Sequence, residues 1–153
     1  LSLRSREFFS EYLAIVDYPE LFDPVAKKFS ITHVVLPVAT VDRYKPLAKK
    51  LYNSSNWALV YTDGAEVLFA ADSLCKSKLD LSQKNVVDSI ANSIVANSAN
   101  KKLSTEALLY FGKFLSYINN HDRASVIFNL NRTNRVKPEQ KLNVGENHEK
   151  TGF

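Results

Sequence analysis

Methionine is absent from this sequence, even at position 1. A complete chain starts with one unless it is processed, so the expectation is a segment cut from a larger protein. A single cysteine, Cys75, excludes an internal disulfide and a cysteine-rich zinc site. The chain has only four glycines, and none follows the first apolar β-branched run. Phosphate-cradling loops need several glycines at a strand-to-helix turn, where the backbone must approach the phosphate closely, so nucleotide binding by that route is excluded. Long hydrophobic runs are missing too. The best candidate, residues 34–41, is interrupted by Pro37 and Thr40 and falls far short of the ~18 residues of a membrane span. Leu1 to Arg4 lead straight into an amphipathic segment, without a signal-peptide pattern.

What is present is ordinary for a chain with a real core. Hydrophobic residues make up 45% of the 153 positions and charged residues 24%, enough for one domain or a small domain with an extension. The net charge of +4 is uneven: residues 1–72 hold 8 Lys/Arg against 9 Asp/Glu, and residues 73–153 hold 12 against 7. The basic excess is scattered and forms no dense run. Nucleic-acid binding draws affinity from each neutralised phosphate and needs a concentrated stripe, so no nucleic-acid partner is expected.

Periodicity sets out the elements. Ser5 can cap a helix in which Phe8, Phe9, Tyr12, Leu13 and Val16 follow at helical spacing, ended by Pro19. Leu21, Phe22, Val25, Ala26 and Phe29 repeat the stripe in a second helix. Residues 31–36 form a β-branched run closed by Pro37, which reads as a central strand. A helix over 43–53 leads to a strand over 57–62, and Asp63-Gly64 signals a tight hairpin turn into a third strand over 65–71. The crossover helix should leave the second strand parallel to the first, with the third antiparallel to the second. The predicted fold class is therefore α/β: a small mixed three-stranded sheet in β-α-β-β order behind two N-terminal helices, followed by a helical appendix. The boundaries fall at 1–72 for the α/β domain, 73–131 for the appendix and 132–153 for a mostly disordered polar tail. Within the appendix, Asp80 or Ser82 caps a helix with an apolar stripe of Val86, Val87, Ile90, Ala91, Ile94 and Val95 and a small, polar opposite face. Ser104 or Thr105 caps the next helix, Asn119-Asn120 marks a turn, and Ala124 to Leu130 form a last short helix.

Chemistry-bearing constellations are few. The three histidines, His33, His121 and His148, fall in a strand, a turn and the tail without ligand spacing, so neither a metal nor a cofactor is expected. His33 lacks a paired nucleophile or carboxylate and reads as a packed mid-strand histidine rather than a general base. Cys75 lacks a nearby histidine. Asp42, Arg43 and Asp63 lie near the carboxyl ends of the first two strands, the edge where α/β sheets tend to bind ligands. Helix capping and turn chemistry account equally well for the two aspartates.

Two stretches carry resemblances. Residues 4–71 combine an Arg-containing amphipathic helix, a second helix ending in Lys-Phe, the strand Ile-Thr-His-Val-Val-Leu-Pro, then Ser-Ser-Asn-Trp-Ala-Leu-Val-Tyr-Thr-Asp-Gly and an apolar return strand. Phe29, Ile31, Val34 to Leu36, Leu51, Ser54, Trp57, Val60, Tyr61 and Asp63 fit a pattern that resembles the extracytoplasmic segment following the membrane spans of bacterial dolichyl-phosphate-mannose-type glycosyltransferases and their relatives. That family's catalytic carboxylates sit in membrane-proximal loops with no counterpart in this chain, so the resemblance carries over no catalytic residue. Further along, Leu108, Phe111, Gly112, Leu115, Ala124 and Phe128 stand at the spacing of a single tetratricopeptide repeat, with Asn131 in place of the expected small residue and Pro138 late. One repeat cannot bury its own face and needs the 82–98 helix or another chain as cover. If it is a repeat, Lys113 and Tyr117 are the side chains it offers a partner.

Together these point to a non-catalytic domain of a larger membrane protein, on the extracytoplasmic face of a bacterial inner membrane, serving recognition or assembly. Its partner would be the membrane portion of the parent chain or another protein, with no bilayer insertion of its own. A soluble adaptor binding through the helical hairpin, and a small enzyme or ligand-binding domain using the Asp42, Arg43 and Asp63 edge, are the alternatives.

Overall fold

The computed structural model describes residues 6–39, 42–98 and 100–136. Its elements run α1 (Arg6–Asp17), a 3₁₀ turn at Pro19–Leu21, α2 (Phe22–Lys28), β1 (His33–Leu36), a 3₁₀ turn at Asp42–Tyr44, α3 (Lys45–Asn53), β2 (Trp57–Thr62), β3 (Val67–Ala71), a 3₁₀ turn at Asp72–Leu74, α4 (Lys84–Asn97), α5 (Lys101–Tyr117) and α6 (His121–Val136). The expected α/β class and β-α-β-β order hold, with two helices ahead of the sheet and three behind it. Ser5 and residues 137–153, the bulk of the expected tail, lie outside the described residues. Residues 132–136, assigned to that tail, continue α6 instead.

The pairing of the sheet needs correction. The strand order is β1-β3-β2 and both ladders are antiparallel. The crossover does leave β2 running in the direction of β1, but β3 is inserted between them, so no parallel ladder forms and β1 is an edge rather than the centre. The apolar strand that needs cover on both sides is β3, whose Val67, Phe69 and Ala70 are buried. β1 reads as central because it is β-branched throughout, yet Val35 is 58% exposed. Register places Val34, Leu36, Val67, Phe69, Leu59 and Trp57 on the inner face and Val35, Leu68 and Tyr61 in one row on the outer face, with a bulge at Val60 between Leu59 and Tyr61.

The helices pack against the inner face. Leu47, Ala48 and Leu51 of α3 are buried there, and Trp57 meets Phe22 of α2 edge-on at 5.1 Å between ring centroids. The Trp57 indole N–H donates to Asp23 Oδ1 at 3.2 Å, which satisfies its polar end. α1 departs from its expected stripe: Ile15 and Val16 are buried, whereas Phe9, Tyr12 and Leu13 are 60%, 37% and 37% exposed.

One set of contacting buried side chains runs from Ile15 through the sheet to Ile127, passing residue 72 without a break. Several polar contacts cross there as well. Leu79 N–H donates to Leu59 carbonyl O at 2.7 Å, and Leu81 N–H to the Tyr52 hydroxyl at 3.1 Å. The Lys49 ammonium donates to Asn119 Oδ1 at 3.3 Å. Asn100, not Ser104 or Thr105, caps α5 by accepting from Leu103 N–H at 2.9 Å. Ser104 and Thr105 lie inside the helix and return their hydroxyls to Lys101 carbonyl O. Asp80 precedes α4 as a turn residue, accepting from Ser82 N–H and hydroxyl, which hold its carboxyl below the usual carboxylate range. Asn119 adopts a left-handed φ of 68° in the expected turn between α5 and α6.

Two glycines permit close approach. A Cβ on Gly112 would sit 2.6 Å from Phe128 Cε1, so the α5–α6 pair closes at this point as its residue spacing predicts, and α4 supplies the expected cover through Val87, Ile90, Ala91 and Ile94. Gly64 has φ +90° in the β2–β3 turn, and a Cβ there would lie 2.4 Å from Ala107 carbonyl O of α5. Gly64→Ala should therefore cost about 3 kcal/mol, combining left-handed strain with a clash against backbone. Urea unfolding followed by Trp57 fluorescence measures this; a loss below about 0.5 kcal/mol would contradict the close docking of turn and helix.

Candidate functional site

The sequence-derived site residues are separated by the fold, and most are committed to local contacts. Arg43 reaches back to α1, donating through Nε to Asp17 Oδ1 at 2.9 Å and through Nη2 to Asp17 Oδ2 at 2.6 Å. This two-point bond holds the Asp17 carboxyl below the usual carboxylate range. Asp42 pairs with Lys45, three residues on. That bond lowers the Asp42 carboxyl, with a smaller attraction from Lys113, so Lys113 of α5 lies within electrostatic reach of Asp42. Asp63 serves the β2–β3 turn: its Oδ1 accepts from Ala65 N–H and Glu66 N–H, both at 2.9 Å. Beside it, the Thr62 hydroxyl donates to Glu66 carbonyl O and accepts from Gly64 N–H.

The two partner-facing candidates differ. Lys113 is exposed, with its ammonium 5.7 Å from the centre of the Tyr110 ring. Tyr117 is half-buried beneath Lys49 of α3, whose ammonium lies 5.5 Å from the ring centre. Tyr117 therefore helps join α5 to α3. His33 is not packed as expected: it is exposed on the outer face of the edge strand, with Nδ1 3.0 Å from the Thr32 hydroxyl. The Cys75 thiol lies 2.8 Å from Ser77 carbonyl O.

Two concavities stand out. A groove of about 540 Å³ runs between α1 and β1, lined by Phe9, Tyr12, Val16, His33, Val35 and Tyr44 among others. Its walls are mostly apolar, and its polar feature is a hydrogen bond of 2.8 Å between the Tyr12 and Tyr44 hydroxyls. That bond, with partial burial, pushes the Tyr12 phenol upward, so Tyr12 is neutral at physiological pH. The groove follows the edge of β1 that pairs with no strand among the described residues. A second cleft, about 550 Å³, lies between the β2–β3 turn and the α4–α5 pair and is lined by Tyr61, Asp63, Ser93, Asn97, Glu106 and Tyr110 among others. Asp63 thus shares a cleft with α4 and α5, while Asp42 and Arg43 sit with α1 and α3.

Periodicity had assigned the groove residues to the core. The sequence does hold a signal: Phe9, Tyr12, Leu13, Ile15 and Val16 occupy a wider arc of α1 than one buried face requires. Among the described residues, no group of three or more His, Cys, Asp or Glu side chains is placed to hold a metal ion. None of the described helices is long and apolar enough to cross a membrane. Comparison of the chain with protein-family models, with curated proteins and with solved structures gives no match.

The Arg43–Asp17 pair gives a direct test of the local electrostatics. A carboxylate whose folded pKa is depressed adds stability above its unfolded pKa and loses it as pH falls through the folded value. Both side chains are about half exposed, so solvent screens the pair and its contribution at neutral pH is slight. In Arg43→Gln, NMR titration should show the Asp17 carboxyl rising toward the ordinary carboxylate value, with little change in thermal midpoint at pH 7. An unmoved Asp17 titration would show that the guanidinium is not its partner in solution.

Proposed function

We propose that this chain is a recognition or assembly module that works through the α1–β1 groove and has no catalytic role of its own. The observation that carries this reading is the groove itself: an apolar trough bordered by exposed Phe9, Tyr12 and Val35 and by a strand edge that, among the described residues, no other strand pairs. Exposed apolar residues gathered around a concavity are the usual mark of a surface that another chain covers. The titratable candidates fit this reading, because Arg43, Asp42 and Asp63 are held by structural partners rather than converging on a common point.

We place the module in a larger membrane protein of the glycosyltransferase-like group, on the extracytoplasmic face of a bacterial inner membrane. The support is the pattern across residues 4–71, whose distinctive members have clear structural tasks. Trp57 locks β2 to α2, Leu51 is fully buried beneath the sheet, and Asp63 shapes the hairpin turn. On this reading the partner is the membrane portion of the parent chain or another protein. The soluble-adaptor reading draws on the α5–α6 pair, where Lys113 remains exposed. The ligand-binding reading draws on the cleft that Asp63 shares with Tyr61 and Tyr110.

Topology reporters test the location. Alkaline phosphatase fused after Phe153 in the full-length gene product should be active, and green fluorescent protein at the same junction dark. Inactive phosphatase with a bright fluorescent fusion would place the module in the cytoplasm and favour the adaptor.

A further inference from the structure

The cleft between the β2–β3 turn and the α4–α5 pair is acidic within a basic stretch of chain. Asp63 and Glu106 line it, and none of its described lining residues is Lys, Arg or His. The sequence around it points the other way: the net charge is +4, and residues 73–153 hold 12 Lys/Arg against 7 Asp/Glu. The last turn of α4, ending at Asn97, borders the cleft, and the carbonyl end of a helix carries a partial negative charge. The amino end of α5 on the other side is capped, with Leu103 N–H bonded to Asn100 Oδ1.

Both carboxylates keep acceptor capacity for a ligand. Asp63 commits Oδ1 to Ala65 N–H and Glu66 N–H, while its Oδ2 has no hydrogen bond or ion pair among the described residues. Glu106 is half-buried and has neither kind of partner among the described residues. A sheltered carboxylate without a partner costs free energy that a bound cation offsets. The close contact of Gly64 with Ala107 holds the two acids to one cleft, because Asp63 precedes the first and Glu106 the second. Glu106 and Tyr110, four residues apart on α5, share a helix face, and Tyr61 is 53% exposed at the rim. Aromatic faces attract cations, and the Tyr110 ring already meets one, the Lys113 ammonium 5.7 Å from its centre.

We infer that this cleft binds an alkylammonium cation, its charged head held by Glu106 and Asp63 and its stem laid along Ile94, Leu103 and Ala107. The volume of about 550 Å³ suits a small organic molecule. The acids and the tyrosine rings favour the ammonium, and the apolar wall favours its methylenes. An anionic ligand meets repulsion from the same groups, and a neutral alcohol forgoes their attraction. Because the chain as a whole is positive, its overall field does not gather cations, and binding has to come from the cleft. The inference gives the ligand-binding reading of this cleft its ligand and is independent of the α1–β1 groove. The same chemistry is offered by a free amine and by a lysine side chain of another chain.

The probe is n-pentylamine, titrated into the 153-residue chain near neutral pH and followed by amide NMR, with pentanoate and 1-pentanol as anionic and neutral counterparts. Pentylamine should shift the amides of Asp63, Asn97, Glu106 and Tyr110 with a dissociation constant of about 10 mM or tighter. The two counterparts should bind at least about tenfold more weakly. Glu106→Gln should weaken pentylamine by about fivefold or more and Tyr110→Leu by about threefold or more. Glu20→Gln, which removes an exposed carboxylate outside the cleft, should change nothing. Nα-acetyl-lysine N-methylamide separates the sources: tighter binding than pentylamine supports a protein side chain as the cation, and weaker binding supports a free amine. No saturable shift up to about 50 mM pentylamine, or pentanoate binding as tightly, would overturn the inference. So would a folded Glu106→Gln chain that binds pentylamine as the parent does. The ranking of the three probes is read on the unaltered chain, so it decides even where a variant does not fold.

Discussion

The insertion of β3 between β1 and β2 is the constraint on which the rest of the architecture depends. Because β3 takes the middle, its Phe69 and Val67 bond toward β1 and its Leu68 and Ala70 toward β2, and both neighbours become edges. The β2 edge is bent by the Val60 bulge and flanked by the segment that carries Leu79 to Leu59. The β1 edge lies beside a groove. The inner face collects α1, α2 and α3, and the outer face keeps Val35 and Tyr61 exposed. The asymmetry between a covered edge and an open one is set by where a single short strand lies.

The contacts that join the sheet to the later helices are short-range and steric. The Gly64 turn reaches Ala107 of α5 where only a glycine fits, and Phe128 occupies the space a side chain on Gly112 would take. Burial of Leu81, Val87, Leu108, Phe111 and Leu115 completes the same core. Each fully buried large apolar side chain contributes about 1.5–3 kcal/mol. Exposed ion pairs such as Lys84–Asp88, about 0.2–1 kcal/mol each at best, are second in rank. The ion pairs orient: Arg43 fixes the 3₁₀ turn before α3 against α1, and Lys50 pairs with Asp23, which also accepts from Trp57.

Much of this architecture was legible in local sequence. β2 over Trp57–Thr62, the Asp63-Gly64 turn, the α4 stripe and the Gly112–Phe128 approach follow from periodicity and from the conformational needs of glycine. Strand order was not legible, because alternation reports which faces are apolar and says nothing of which strand lies beside which. β1 looks central from its valines, and only the pairing shows that Val35 faces outward. Serine and threonine inside α5 mimic caps in sequence, although Asn100 performs that task. The Arg43–Asp17 bond joins positions 26 apart in sequence, and no spacing rule connects them. For the site, sequence singled out Asp42, Arg43 and Asp63 near the strand ends, and the fold separates Asp63 from the other two. The partners of Asp42 and Asp63 lie within three residues, and only that of Arg43 comes from an element that sequence does not place beside it.

The groove gains its meaning from that same strand order. Had β1 been central, Val35 and His33 would bond to a neighbouring strand. As an edge it offers an apolar trough with backbone groups along one wall, which is what a strand-forming partner requires. The most direct measurement is amide hydrogen exchange within β1 in dilute solution. The account predicts protection at Val34 and Leu36, which bond to β3, and fast exchange at His33 and Val35. Protection of all four amides in the dilute chain, or of His33 and Val35 alone, would contradict the open edge and the function built on it.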